Sequence, residues 1–228
     1  MQIEAVKTQR LYLQVADQLM TLIRGGSVAT AERLPAERDL AVRFGVSRPT
    51  IREAMIALEI AGIVEIRSGS GVYVVDNSRS APVAADQGPG PFEILEARRL
   101  FEGEACALAA ERITNEQIEE LRTLLVAMEQ ENQQQDAHER ADEQFHCLIA
   151  EAARNSAVSS TVAWLWQLRK ESGLSQRFHQ RVRDEGIKPV IDDHRRILNA
   201  LEERDPAGSR RAMAAHLQRV IDQLLESR

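Results

Sequence analysis

Residues 34–75 read LPAERDLAVRFGVSRPTIREAMIALEIAGIVEIRSGSGVYVV, and the order of residue types predicts a helix, a tight turn, a second helix and a two-stranded β-wing. Pro35 suits the first turn of a helix, where its missing N–H is not needed. Leu40, Ala41 and Phe44 supply that helix with an inner face. Gly45 ends it, because glycine tolerates the left-handed backbone that a sharp stop requires. Ser47 then suits the N-cap of the next helix, in which Ile51, Met55 and Leu58 recur at helical spacing and point inward. Gly62 closes that helix. Ile63 to Arg67 and Val72 to Val75 read as strands around Ser68-Gly69-Ser70-Gly71. The sum is a winged helix-turn-helix, an arrangement that lays one helix in the major groove of DNA. Arg48 and Arg52 stand one turn apart on another face, available to phosphates and base edges. Helix–glycine–helix is common on its own; the wing and the paired arginines point to double-stranded DNA.

Working outward, Leu11, Val15, Leu19, Leu22 and Ile23 mark an amphipathic helix that ends at Gly25-Gly26 and packs under the motif. After the wing, residues 76–91 read DNSRSAPVAADQGPGP, a linker composition. From Phe92 onward every periodic stretch is helical, near 92–111, 115–134, 138–153, 156–173, 176–184, 188–203 and 206–226. Thr114 or Asn115, Asn155, and Asp205 followed by Pro206 give start signals. Residues 129–136, EQENQQQD, read as a polar helix end or exposed loop. The fold class is therefore mainly α. A winged helix-turn-helix (1–76) is joined by a linker (77–91) to an all-α bundle of six or seven helices (92–228).

The 228 residues suffice for two modest domains. No run approaches the roughly 18 apolar residues of a membrane span, and MQIEAVKTQR lacks an apolar signal core, so a cytoplasmic protein is expected. Cys106 and Cys147 form neither a disulfide framework nor a CxxC site. The net charge of −6 looks wrong for a DNA binder, but residues 1–80 hold 10 Lys+Arg against 9 Asp+Glu and the remainder 19 against 26. DNA binding must come from local arginine placement, and the acidic second domain should stay off DNA.

A second constellation lies in that domain. Asp142 and His146, in ADEQFH, occupy positions i and i+4 of one helix and so share a face. His194 in DDHRRIL and His216 in AAHLQRV fall on the last two helices. Three imidazoles and a carboxylate suit zinc, nickel or another divalent first-row ion with one or two open positions. Taken singly, each histidine is as readily a packed core residue. Cys147 and Glu143 each directly follow a ligand position on the helix and point away. Such a site could serve a metal-dependent hydrolase or isomerase, but no general base stands beside the four ligands. It could equally be a closed structural ion.

The segments "LPAERDLA", "VSRPTIREA" and "LEIAGIVEIRSGSGVYV" resemble the DNA-binding domain of GntR-type bacterial transcription regulators. The resemblance implies that Arg38, Arg48 and Arg52 touch DNA, with Thr50 near the bases and the Gly69 tip in the minor groove. Ser47, Pro49 and Ser70 would tune register or sequence preference. "DEQFHCLIAEAARNS", "DDHRRILNALEERDP" and "AMAAHLQRV" resemble the ligand-sensing FCD domain of the FadR subfamily, in which an Asp, a His four residues later and two further His hold a metal. Asp142, His146, His194 and His216 match; His138 and His179 match nothing and are expected at the surface. The family's Arg followed four residues later by Glu is matched by Arg98 and Glu102, which implies that Arg98 grips an effector carboxylate. An intrahelical Arg98–Glu102 pair is compatible with this role. "RLYLQVADQL", "GPFEILEARRL" and the segment from Asn155 through Trp166 and Arg169 resemble hexuronate-operon repressors. That likeness implies a sugar-acid effector, with Asn155, Trp166 and Arg169 as pocket residues, although Trp164 and Trp166 also suit plain core or interface positions. The chain departs from those repressors within 170–190, which leaves room for an aldarate or another hydroxy acid. The implied mechanism is a cytoplasmic homodimer that reads a pseudopalindromic operator and releases it on binding effector.

Overall fold

The computed structural model describes residues 9–67, 69–75, 88–134 and 139–226. The chain divides into two compact units, one of residues 1–92 with 225–228 and one of residues 93–224. Most of the expected linker, residues 77–87, lies outside the described residues, as do Ser68 and His138.

In the first unit, α1 (Leu11–Arg24) and α2 (Glu37–Phe44) flank α3 (Arg48–Ile60), and β1 (Val64–Arg67) pairs antiparallel with β2 (Gly71–Val74). The register joins Val64 to Val74 and Arg67 to Gly71. Alternation places Val64, Val72 and Val74 inward. α1 packs on α3, but through Tyr12, Val15, Ala16, Leu19 and Ile23; Leu11 and Leu22 are about half exposed. The helical stripe is thus rotated toward Tyr12, whose ring is covered while its hydroxyl donates to the Gly88 carbonyl. α2 begins after Ala36, so Pro35 precedes the helix instead of occupying its first turn. Phe44 is only half-buried, leaving Leu40 and Ala41 as the inner face. Gly45 adopts φ +64° and ends α2 as expected. Ser47 caps α3 by accepting from the Thr50 N–H, and Ile51, Met55 and Leu58 are fully buried.

Residues 31–34 run beside β2: the Ala31 N–H donates to Val74 O, the Val74 N–H to Glu32 O and the Leu34 N–H to Val72 O. This segment covers an edge that a two-stranded hairpin would leave bare. In these four residues, AERL, the apolar positions Ala31 and Leu34 stand three apart, so no strand alternation marks them.

The second unit is helical throughout its described residues. Its helices are α4 (Pro91–Arg112), α5 (Asn115–Glu131), α6 (Arg140–Ala152), α7 (Ser156–Glu171), α8 (Gly173–Asp184), α9 (Ile191–Glu202) and α10 (Pro206–Glu226). Thr114 and Gln117 form a reciprocal capping box at the start of α5. Asn155 caps α7, and Ser172 both ends α7 and caps α8. α6 is central: it packs on α5 and α7, while α9 packs on α5. Phe145, Ile149, Leu121, Met128, Trp166 and Ile197 fill the interior. None of the described helices is long and apolar enough to cross a membrane.

Because Gly45 holds a left-handed backbone with open space beside its α-carbon, Gly45→Ala should destabilise the first unit by about 1 kcal/mol through backbone strain alone. Urea unfolding of the full chain measures this, and an unchanged midpoint would show that the turn relaxes without cost.

Candidate functional site

α6, α9 and α10 bring Asp142, His146, His194 and His216 together, all buried, with one ligand atom from each within 4.8 Å of the others. The i, i+4 spacing on α6 sets the His146 Nε2 3.7 Å from Asp142 Oδ1. From α9, His194 Nε2 lies 2.8 Å from the same oxygen. His194 and His216 stack edge-on at 4.4 Å between ring centroids. The opposite ring nitrogens are turned toward acceptors on the protein. His146 Nδ1 meets Glu102 Oε2 at 2.5 Å, His194 Nδ1 meets the Val190 carbonyl at 2.9 Å, and His216 Nδ1 faces Asp193 Oδ2 at 3.6 Å. The acceptors behind His146 and His194 orient those rings by the outer nitrogen, as partners of metal-ligating histidines do, and with its Nδ1–H given to Glu102, His146 keeps a lone pair on Nε2. Among the described residues neither the His216 Nδ1 nor, on the inner side, the buried His146 Nε2 has a hydrogen-bond partner. The orphaned lone pair on His146 is what a cation would satisfy, so the donor set fits a divalent ion.

The carboxylates are held ionised. Burial raises the pKa of Glu102, but Arg98 and His146 outweigh it and bring the carboxyl down to about 2. Burial acts on Asp142 in the same sense and is overcome by the hydrogen bond and charge of His194. Asp193 is lowered against its burial by His216 and Arg219, and it also accepts from Arg196 at 2.8 Å. His216 is pushed down to about 4, first by burial, which keeps its ring neutral and able to bind a cation.

Beside the cluster, Arg98 is buried on α4, bonded through Nε to Glu102 Oε1 at 2.6 Å and stacked 3.8 Å over the Trp166 ring. The expected Arg98–Glu102 pair is therefore present, and Glu102 links it onward to His146. Arg98, Asp142 and His216 line a small cavity of about 70 Å³ with Leu95, Val182 and Leu217 on its apolar side. Glu139, Arg169 and His179 line this cavity and also a wider outer hollow of about 470 Å³.

His179, expected at the surface, is buried, and Arg169 Nε donates to its Nε2 at 3.1 Å. The reason is the turn of α8, which points it inward beside Phe178 and Val182. Trp166 is fully buried and lies under both Arg98 and Arg169, so it supports the cavity's charged residues from behind. Asn155 does not join them: it is exposed, and its side-chain oxygen accepts from the Ala157 and Val158 N–H groups as the cap of α7. Trp164 is exposed. Cys106 and Cys147 are free thiols outside the cluster. The supports Asp193, Val190, Glu139 and His179 escaped sequence reasoning; only Asp193, adjacent to His194 in DDHRR, carried even a weak signal.

In the first unit, Arg38 and Arg48 are exposed, and Arg48 lies 3.9 Å from Glu37. Arg52 is held by Glu37 at 2.7 Å and is mostly covered, so the two arginines expected to act alike differ. Ser47 and Thr50 hydroxyls bond to each other at 2.8 Å beside half-buried Pro49. Gly69, at φ +71°, turns the wing tip, and Ser70 bonds the Tyr73 hydroxyl. Arg33 and Arg67 join Arg38, Arg48 and Arg52 around one concave face. Neither was singled out from sequence, since both lie in the irregular or wing segments.

Residues 11–74 match the bacterial regulatory proteins of the gntR family, and residues 93–219 match the FCD domain. The Uxu operon transcriptional regulator of Escherichia coli (strain K12) is 38% identical, over 97% of this chain and 90% of that protein. The Exu regulon transcriptional regulator of the same strain is 35% identical, over 94% and 84%. Among solved structures, Streptococcus agalactiae GntR covers 93% of this chain and 99% of its own at 27% identity and a TM-score of 0.50.

The buried charges make their own prediction. Arg98→Met leaves Glu102 buried without its cation and should lower stability by about 3–5 kcal/mol. A loss under about 1 kcal/mol in urea unfolding would show that His146 alone compensates Glu102.

Proposed function

Since the chain belongs to the gntR family of bacterial regulatory proteins and carries an FCD domain, we propose that it is a repressor released from its operator by a sugar acid bound in the 93–224 unit. It is a DNA-binding transcription regulator and not an enzyme. The observation that carries the sensor reading is the convergence of Asp142, His146, His194 and His216 beside a cavity that also receives Arg98.

These four residues hold a divalent ion, zinc or nickel by donor chemistry. When bound, the ion supplies a Lewis-acidic point for an oxygen of the effector. Arg98, pre-positioned by Glu102 and Trp166, offers charge-assisted hydrogen bonds to the effector carboxylate. Arg169 and Trp166 complete the site. The names of the similar Escherichia coli regulators support a hexuronate or a related hydroxy acid as effector. The protein acts in the cytoplasm as a homodimer, and exposed Leu100 and Phe101 on α4 give it an apolar face for a second copy. Two winged units read two half-sites. Arg38, Arg48 and the wing tip at Gly69 and Ser70 contact DNA, with Ser47, Pro49 and Thr50 at the start of α3 and Arg52 oriented by Glu37. The effector releases DNA to the extent that it binds the free state more tightly than the bound one.

Thermal unfolding of the zinc-loaded protein against hexuronates, aldarates and small hydroxy acids, with a chelated control, tests the sensor. A bound acid should raise the melting temperature only when metal is present; no shift with any acid despite bound metal would overturn the reading. His194→Ala should lower the metal content measured by elemental analysis, and unchanged stoichiometry would remove the site assignment. For the DNA face, Arg48→Ala should reduce the slope of log affinity against log salt by about one on a duplex. An unaltered slope would take Arg48 off the phosphates.

A further inference from the structure

We infer that Arg169, backed by His179 and closed by Glu139, is a second anion-reading point that binds a carboxylate at the far end of the effector. The inference rests on the sugar-acid reading of the cavity and specifies which sugar acids fit it. Arg169 and Arg98 stack on one indole, their guanidinium carbons 5.1 and 3.8 Å from the Trp166 centroid. Two guanidinium groups lining one small cavity suit a ligand with more than one anionic or acceptor group. A six-carbon acid, whose terminal carbons stand about 6 Å apart when extended, is of the right scale.

The partners of Arg169 show what it is set to bind. His179 is buried and kept neutral, first by desolvation and then by the charge of Arg169. It accepts the Arg169 Nε–H at 3.1 Å, which orients the guanidinium without neutralising it. Neutralisation comes from Glu139, whose carboxylate accepts from the Arg169 NH2 group. Both carboxylate and guanidinium are largely covered. Arginine has donors only, so a hydroxyl can serve it just as an acceptor, whereas a carboxylate matches its fork. Glu139 is therefore an internal stand-in for the ligand group. Because Glu139, Arg169 and His179 line both the inner cavity and the outer hollow, the pair also stands between them. The outer hollow adds Lys170, Arg177 and Arg183 with Arg169 against Glu139 and Glu143. That excess of positive charge favours an incoming dianion.

Exchange of Glu139 for the distal carboxylate leaves the charge at Arg169 balanced, while a monocarboxylate must leave the Arg169–Glu139 pair in place or break it unreplaced. A six-carbon aldarate should thus bind more tightly than the uronate of the same chain. Glu139→Gln removes the internal competitor, and Arg169→Gln removes the reader.

The test is isothermal titration calorimetry on the full chain loaded with one equivalent of zinc, using D-glucuronate and D-glucarate. The wild-type protein should prefer glucarate by about ten-fold or more. Arg169→Gln should bring the two acids to near-equal affinity while retaining its zinc. Glu139→Gln should tighten glucarate several-fold and leave glucuronate within about two-fold of wild type. Glucuronate binding with no preference for glucarate, or a preference that survives Arg169→Gln, overturns the second anchor and leaves the sensor reading intact. Failure of both acids to bind the zinc-loaded protein overturns the sugar-acid reading, and the second anchor with it.

Discussion

The helical unit is organised around a chain of buried charge: Arg98 to Glu102, Glu102 to His146, and Asp142 between His146 and His194. Ionised groups inside a protein are tolerated only when each meets an opposite charge or a hydrogen bond. That constraint fixes α4 against α6 and α6 against α9, because the partners come from different helices. An apolar core of the same volume would pack these helices without specifying their register so tightly. The same pairing keeps two carboxylates ionised, and among the described residues it leaves the buried His146 Nε2 without a hydrogen-bond partner, as His216 Nδ1 also is. The stability of this unit and the proposed sensor site therefore draw on one set of residues.

The acceptors behind the histidines show how a bundle brings potential cation ligands together out of ordinary helical parts. Glu102 and Val190 hold two rings by their outer nitrogens, and the Asp193 carboxylate faces the third at 3.6 Å. Val190 does so through its carbonyl just before α9, where the first turn begins. Asp193 gathers Arg196 and Arg219 as well as His216, so the last two helices are tied at the point where their histidines meet. Arg98 and Arg169 share Trp166 as a platform, and a rigid aromatic floor lets two cations face one cavity without a flexible side chain between them.

The DNA-reading unit uses the opposite economy of charge. Its arginines are exposed or surface-paired, and its cohesion comes from Ile51, Met55, Leu58 and the apolar face of α1. Glu37 holds Arg52 at 2.7 Å and approaches Arg48 only at 3.9 Å, so Arg48 stays the more exposed of the two. Two residues of identical chemistry, one turn apart, thus acquire different duties from a single carboxylate on the neighbouring helix. The added segment at residues 31–34 braces the wing from its open edge.

The sequence by itself determined the helix-turn-helix, its wing and the helical character of the remainder. Those features rest on local rules: periodicity at Ile51, Met55 and Leu58, a glycine at Gly45, a cap at Ser47. It also carried the four candidate ligands, two of them through the i, i+4 spacing of Asp142 and His146, and two through likeness to a family pattern. Only the tertiary structure decided which stripe of α1 is covered, that residues 31–34 join the wing, that His179 turns inward, and that Asn155 is occupied as a cap. It alone placed Glu139 on Arg169 and Asp193 behind His216. The physical reason is that burial and pairing between helices depend on distances across dozens of residues, whereas spacing along a chain reports only neighbours within a turn or two.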